Sequence, residues 1–301
     1  MQSKFDVVVI GRGPAGIQAA IYTQRAGFNT LVIAPGDGDL AKSHLIGNYY
    51  GFVDGIDGPS LQQHGIDQAK KLGVEFWTEE VTGTSFVEGG YEVHTTNKSV
   101  NTIAMIVASG LPKQQSKIKG AKELLGMGVS YCATCDGFFY KGQEIAIVGS
   151  GEFALSEAEE LKSVVGKINI LLNGKKASAD FSEYHVIADK ISEVVADEEG
   201  FLSKVIFSDN SDLAVSGMFF AEGQANALNL AMKLGLETNE RGIAVNSEQH
   251  TNLPGIFAAG DCTGGRAQVA VAVGQGAIAG MEAADYIREL RSLKKQAVQW
   301  G

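Results

Sequence analysis

Twice in this chain a short apolar run breaks into a glycine turn and then into a helical pattern. The first run, Phe5–Ile10 (FDVVVI), is followed by Gly11-Arg12-Gly13-Pro14-Ala15-Gly16 and a helical periodicity from Ile17 to Ala26. The second, Glu144–Val148 (EIAIV), is followed by Gly149-Ser150-Gly151-Glu152-Phe153-Ala154 and a helix through Leu161. Unbroken β-branched runs are what a strand covered on both faces needs, which points to parallel sheets with layers on either side. The glycines allow a tight strand-to-helix turn and let a pyrophosphate approach the backbone at the helix N-terminus. Two such units dictate an α/β fold class with two three-layer Rossmann-like, nucleotide-binding domains, and 301 residues are enough for each to bury its own core.

Composition excludes several functions. The 38 glycines against 5 prolines, with 45% hydrophobic residues, fit a compact α/β protein. A formal charge of −10 argues against a nucleic-acid partner. No apolar run approaches the ~18 residues needed to span a bilayer, and Met1 leads straight into a strand with no secretion-signal pattern. Three cysteines, two of them close together, suit a reducing compartment better than a disulfide scaffold, so a cytoplasmic location is expected.

Those two lie in Cys132-Ala133-Thr134-Cys135-Asp136-Gly137. A Cys-x-x-Cys pair can close a small disulfide and exchange the roles of attacking and leaving thiolate. Asp136, directly after the second sulfur, is placed to carry a proton. Half a zinc site is the alternative reading, but a structural zinc needs four ligands. The five histidines (44, 64, 94, 185 and 250) are scattered and no second pair exists, so no metal is expected. Cys262 reads as a small buried hydrophobe.

Between these landmarks the strand Thr30–Ile33 ends in Ala34, where a dinucleotide fold ordinarily puts an acid for the ribose hydroxyl. Asp37 or Asp39 would have to reach back, or the ribose is held otherwise. A glycine-rich loop from Asp37 to Gly58 carries Asn48-Tyr49-Tyr50-Gly51-Phe52. A helix over Ser60–Leu72 ends at Gly73. Alternating runs at 74–78, 81–87 and 91–96 predict a small antiparallel sheet, and Ile103–Val107 is a buried strand ending in Ala108-Ser109-Gly110. Lys113, Lys117, Lys119 and Lys122 mark a domain crossing. Beyond the second glycine unit come a strand at Ile168–Leu172, short strands over 180–223, and a helix at 225–234. The chain closes with a strand at Gly242–Val245, the run Gly255-Ile256-Phe257-Ala258-Ala259-Gly260-Asp261, and a glycine-rich helix, Val269–Leu290. Its basic tail, Arg288–Lys295, leads to Trp300, which reads as part of a disordered tail.

Over nearly its whole length the chain resembles the low-molecular-weight, FAD-containing thioredoxin reductases. The resemblance is carried by GRGPAG at 11–16, NYYGF at 48–52, ASG at 108–110, GVSYCATCDGFF at 128–139, GSGEFA at 149–154 and GIFAAGD at 255–261. It implies a pyridine nucleotide-disulfide oxidoreductase fold, with residues 1–113 and 242–301 forming a discontinuous FAD domain. Residues 114–241 would form the inserted domain that bears the cysteines and swings about crossings near Gly110 and Gly242. By the same resemblance Gly11, Gly13, Pro14, Ala15 and Gly16 receive the FAD pyrophosphate, Gly110, Gly260 and Asp261 line its site, and Asn48 and Gln268 lie near the flavin. Cys135 is then the sulfur nearer the flavin, Cys132 attacks thioredoxin, and Asp136 is the acid. Members of the family are generally homodimers.

One departure concerns the electron donor. NADPH-using members place a His-Arg-Arg run and a further arginine after the strand that follows the second glycine motif, because a 2′-phosphate needs planar, bidentate donors. Here that place holds Leu172-Asn173-Gly174 and then Ser178, with Lys175 and Lys176 on a different spacing. The resemblance therefore points to the members that take electrons from reduced ferredoxin, ahead of NADH or another carrier. The basic stretches Lys113–Lys122 and Arg288–Lys295 are the candidate docks for that acidic partner. The competing functions are an NAD(P)H-dependent reductase with a non-standard nucleotide site and a dithiol oxidase of the same fold that passes electrons to oxygen.

Overall fold

The structure is a computed structural model that describes residues 5–110, 116–131, 133–222, 227–239 and 242–294, without the side chains of 134, 135 and 227–229. It divides into two compact units, Met1–Pro112 with Asn226–Gly301, and Lys113–Ala225. The sequence expectation placed the return crossing at 241/242. It lies at 225/226 because the helix Ala227–Leu234 and the residues after it belong to the first core. There Leu230, Ala231, Leu234 and Leu236 pack with Val8, Leu31 and Val93.

The first unit is built on a five-stranded, wholly parallel sheet in the order Ile256–Ala258, Ala104–Val107, Val7–Ile10, Thr30–Ile33, Glu75–Trp77. The middle strands are buried at every position, as their unbroken apolar runs require. On one face lie the helices Pro14–Arg25 and Val269–Leu290, sharing a core of alanines, valines and isoleucines. These helices touch closely: a Cβ on Gly276 would stand 2.2 Å from the Ala15 carbonyl oxygen. On the other face lie the helix Ala227–Leu234 and an antiparallel sheet of Val81–Val87, Gly90–Thr95 and Ser99–Thr102.

The run at 74–78 departs from expectation. It is not part of the antiparallel sheet; Glu75–Trp77 pairs in parallel with Thr30–Ile33, and Ser99–Thr102 takes the third place instead. The helix Gly58–Lys71 supplies the crossover that a parallel neighbour demands. Phe76 packs toward the core on one face of the sheet and Trp77 toward the core on the other, and both are half-buried because this is the edge strand.

The second unit repeats the plan. Its parallel sheet runs His185–Ile187, Lys167–Leu171, Glu144–Val148, Gly217–Phe220, Val129–Ser130. The helix Glu152–Leu161 and Ala133 share a core on one face, through Phe153, Ala154, Ala158 and Leu161. An antiparallel sheet of Ile191–Ala196, Leu202–Phe207 and Asp212–Ala214 covers the other. Among the described residues no helix is long and apolar enough to cross a membrane.

Candidate active site

At the carboxyl ends of the first unit's strands a cleft of about 170 Å³ is lined by Gly13, Pro14, Ala15, Gly110, Gly260, Asp261 and Gln268, with Leu40 and Ala272. This is where an open parallel sheet presents ligand sites. The glycines of the first turn have unlike duties. A Cβ on Gly11 would lie 2.2 Å from the Ala108 carbonyl oxygen, and one on Gly16 would lie 1.9 Å from that of Gly11, so both are needed for the turn itself. A Cβ on Gly13 would meet no protein atom within 4 Å. Gly13 is also the N-cap of the helix Pro14–Arg25, has no side-chain cap, and is followed by a first turn free of acidic residues. The helix end therefore opens its unpaired N–H groups and positive dipole end onto the cleft.

Residues far apart in sequence meet here. Asn48 donates from Nδ2 to Gln268 Oε1 at 3.0 Å, joining the aromatic loop to the start of the C-terminal helix. Tyr49 and Phe52 in that loop stack at 6.1 Å, while Tyr50 is fully exposed. Asp261 follows the strand Ile256–Ala258 at the mouth of the cleft, where burial and then the charge of Asp39 raise its carboxyl above the usual range. Of the acids after the strand Thr30–Ile33, Asp37 pairs with Arg12 of the glycine turn at 2.9 Å, and Asp39 pairs with Lys42. Cys262 is wholly buried, donates to the Val107 and Ala259 carbonyls at 3.3 and 3.2 Å, and has its thiol pushed up to about 12 by burial. A thiol held protonated in this way is no nucleophile.

In the second unit the strand Val129–Ser130 delivers the chain to the short helix Ala133–Asp136. Cys132 and the Cys135 side chain lie outside the described residues, but the frame around them is defined. Ser130, buried, donates its hydroxyl to Asp136 Oδ2 at 2.6 Å. The Ala133 N–H donates to Glu157 Oε2 at 3.1 Å. Phe138 and Phe139, in the following turn, are 71% and 74% exposed, an apolar surface directly beside the cysteine pair.

The second glycine turn is furnished differently from the first. Ser178 donates both its N–H and its hydroxyl to the Ser150 carbonyl, at 2.7 and 3.0 Å. Its Oγ stands 3.2 Å from where a Cβ of Gly151 would be. Glu152 puts a negative charge in the first turn of the helix that follows. After the strand Lys167–Leu171, Asn173 and Gly174 take left-handed backbone, and Asn173 Oδ1 accepts the Ile191 N–H at 3.0 Å. Lys175 is engaged with Glu222 at 2.8 Å.

Residues 5–276 match the family model described as pyridine nucleotide-disulphide oxidoreductase. A thioredoxin reductase of Listeria monocytogenes is 34% identical over 316 residues, with 98% of each chain covered. The chain belongs to this family. Among solved structures, an atypical thioredoxin reductase from Desulfovibrio vulgaris Hildenborough is 37% identical with a TM-score of 0.90, covering 95% of this chain and 99% of that one. A ferredoxin-flavin thioredoxin reductase from Clostridium acetobutylicum is 29% identical with a TM-score of 0.71, covering 95% and 98%.

FAD is the cofactor of this family's thioredoxin reductases, and the first cleft of this oxidoreductase fits it. Gly13 leaves room where a phosphate must approach, the helix end is uncapped, and the turn has orphaned polar atoms. Arg12 Nε and Ser109 Oγ are buried without a partner, and so is Oε1 of Gln62, whose Nε2 donates to the Arg12 carbonyl. Arg12 and Ser109 lie inside the GRGPAG and ASG motifs but were not read as contacts, and Gln62, in the helix Gly58–Lys71, carried no mark. Ser130 lies inside the cysteine motif without having been singled out, and Glu157 carried no signal.

The two basic stretches fare unequally. Arg288 is 9% exposed, bonded to Asp285 at 3.0 Å and to the Ala26 carbonyl at 3.2 Å, and Arg291 pairs with Asp6. Both guanidinium groups lie over the Phe28 ring. They tie the end of the last helix to the rest of its unit; Arg288 is thereby buried, while Arg291 stays exposed. Of the first stretch Lys119 is paired with Glu193 at 2.6 Å, whereas Lys117 and Lys122 are exposed. Lys113, Lys295 and Trp300 lie outside the described residues. The spacing of the histidines did not foresee one grouping: Glu248, His250 and Glu282 have ligand-type atoms within 4.8 Å of one another, with His250 paired to Glu282 at 3.2 Å and tilted against Phe257.

Proposed function

We propose that this chain is a thioredoxin reductase whose electrons come from reduced ferredoxin rather than from NADPH. The observation that carries the donor assignment is the second glycine turn. There Ser178 sits over Ser150 and Gly151, Glu152 charges the helix start, and Lys175 is spent on Glu222. An NADPH site needs an approach to the turn clear of side chains and of negative charge for the pyrophosphate, and a bidentate cation for the 2′-phosphate. This turn supplies a serine and a carboxylate instead.

Gly11, Gly13, Pro14, Ala15 and Gly16 hold the FAD pyrophosphate, Gly110, Gly260 and Asp261 the chain that follows, and the joined Asn48 and Gln268 flank the flavin. Bound FAD supplies the redox chemistry that links a one-electron donor to a two-electron disulfide. The remaining chemistry belongs to the cysteines. The Cys132 thiolate attacks one sulfur of the thioredoxin disulfide, the other thioredoxin sulfur leaves, and Asp136 provides the proton it takes up. Cys135 then gives up its proton and attacks Cys132, the mixed disulfide breaks, and the second thioredoxin sulfur takes that proton by way of Asp136 and leaves as a thiol. The outcome is one disulfide in the enzyme and one dithiol in thioredoxin. Phe138 and Phe139 give thioredoxin an apolar place to dock beside the pair.

An anaerobic titration followed in the flavin absorption band, with thioredoxin present, tests this. Reduced ferredoxin is expected to bleach the band and drive insulin reduction, while NADPH and NADH leave it unchanged. Bleaching by NADPH within milliseconds would overturn the donor assignment. Rapid oxygen consumption with a small dithiol, without thioredoxin turnover, would mark an oxidase and sink the whole proposal.

A further inference from the structure

Two carboxylates from separate elements of the first unit converge on one histidine. Glu248 and His250 lie on the loop before the strand Ile256–Ala258, and Glu282 lies on the helix Val269–Leu290. The loop is built around Asn246. Its Oδ1 accepts the N–H groups of both Glu248 and His250 at 3.0 Å, and its own N–H donates to the His250 carbonyl at 3.1 Å. His250 bridges in antiparallel register to Phe257, and its ring lies 4.8 Å from that buried ring, tilted by 59°. The imidazole is thus held from behind, with Nε2 at 3.2 Å from Glu282 Oε2. Like charges at this range repel. Among the described residues neither glutamate has a lysine or arginine paired with it to offset that repulsion.

We propose that Glu248, His250 and Glu282 bind a divalent transition-metal cation of the zinc type, with water completing its coordination. One imidazole nitrogen and two carboxylate oxygens are a donor set that suits such an ion. Bonds of about 2.0–2.2 Å set neighbouring ligand atoms of a tetrahedron roughly 3.3–3.6 Å apart. The His250–Glu282 pair already stands at 3.2 Å. The other two spacings, both to Glu248, are within 4.8 Å and close by rotation of an exposed side chain. The cation takes the place of the hydrogen between His250 and Glu282, and the neutral imidazole carries its proton on Nδ1. Its two charges cancel those of the two carboxylates. The His250 and Glu282 side chains are 37% and 31% exposed, so solvent reaches the site for entry and for the water ligand. Bound there, the cation ties the strand that leads to Asp261 to the helix that follows Gln268, two walls of the first cleft. The proposal is independent of the electron donor and of the cysteine chemistry.

Calorimetric titration with zinc chloride tests it. The protein is the FAD holoenzyme carrying Cys132→Ser and Cys135→Ser, so that no reactive thiolate competes for the ion; Cys262 is wholly buried. One ion per chain is expected to bind, with micromolar affinity or tighter. Glu248→Gln and Glu282→Gln keep the side-chain size and remove a charged ligand. Loss of a contact that merely supports a ligand already costs about 10–100-fold in metal affinity, so each variant should weaken binding at least tenfold. His250→Ala should do the same. A large excess of magnesium should leave the zinc isotherm unchanged, because a hard cation gains little from an imidazole. Binding weaker than micromolar, a loss of less than tenfold in any variant, or displacement by magnesium overturns the proposal. If His250→Ala fails to fold for want of its contact with Phe257, the two glutamine variants and the magnesium competition decide.

Discussion

Gly13→Ala and Gly16→Ala separate the space reserved for a ligand from the space required by the fold. Gly13 has φ −72° and ψ −178°, an extended conformation open to alanine, and its added methyl meets no protein atom within 4 Å. Alanine is a poorer N-cap than glycine by up to about 1 kcal/mol. Restriction of the unfolded chain returns about 0.4–1 kcal/mol. The apoprotein should therefore change in stability by less than about 1 kcal/mol, or roughly 2–4 °C in Tm for a unit of this size. In Gly16→Ala the methyl would stand 1.9 Å from the Gly11 carbonyl oxygen and 3.2 Å from Val9 Cγ1. Relieving a clash with the main chain costs about 1–3 kcal/mol or more, a fall of several degrees at least. Flavin affinity should rank differently. Gly13→Ala fills the approach to the pyrophosphate and should weaken FAD binding at least tenfold, which is about 1.4 kcal/mol. Calorimetry of the two apoproteins and a fluorescence titration with FAD provide both readings. An unaltered FAD affinity in Gly13→Ala would refute the assignment of that space, and an apoprotein as unstable as Gly16→Ala would refute the packing argument.

Three further outcomes are expected. Asp261 has a folded-state carboxyl raised by burial, so the folded protein binds its proton more tightly and stability falls as pH rises from the ordinary aspartate range through the raised value. Asp261→Asn should accordingly make the apoprotein no less stable at neutral pH, with the benefit vanishing in acid, while FAD retention drops. Pulsing the reduced native holoenzyme with a thiol reagent should leave Cys262 unmodified until denaturant is added, because its sulfur is fully buried and its thiol pushed up to about 12. Fast modification of all three cysteines would contradict this. Ser130→Ala removes the hydroxyl that the Asp136 carboxylate accepts at 2.6 Å. Hydrogen bonds to charged groups are worth about 1.5–3 kcal/mol, so the unit bearing the cysteine pair should lose about that much stability with the flavin spectrum unchanged, and an unaltered unfolding midpoint would show the contact to be idle.

Much of the scaffold was legible because its strands are buried on both faces. The runs at Phe5–Ile10 and Glu144–Val148 have no polar alternation, and that pattern admits few other placements. Glu75–Trp77 was misassigned because three residues at a sheet edge carry no pattern that tells a parallel neighbour from an antiparallel one, and only the helix before them decides. The helix Ala227–Leu234 carries no mark in its residues of which core its apolar face joins, so the crossing was drawn too late. At the site, glycines and the cysteine pair announce themselves because they are rare and fixed in spacing. Glu157 meets Ala133 across 24 positions of sequence, and Arg12, Ser109 and Ser130 matter through burial and partners that the motifs containing them do not encode.

The two glycine turns show how far such a motif can be trusted. Each follows a parallel strand, each begins a helix without a side-chain cap, and each has a first glycine that fits only because it lacks a Cβ: Gly11 against Ala108, Gly149 against Ala221. Those shared features are demands of the strand-to-helix connection, and they persist whether or not a nucleotide is bound. What differs is the middle glycine and its surroundings. Gly13 faces open space at the head of a helix with no acid in its first turn, whereas Gly151 has the Ser178 hydroxyl 3.2 Å from its missing Cβ and Glu152 beside it. The first arrangement leaves a phosphate room to approach, and the second sets a hydroxyl and a carboxylate in its way. The motif therefore reports the fold in both units, and an open middle glycine only in the first. The residue that makes this distinction, Ser178, lies a whole strand and turn beyond the pattern it closes.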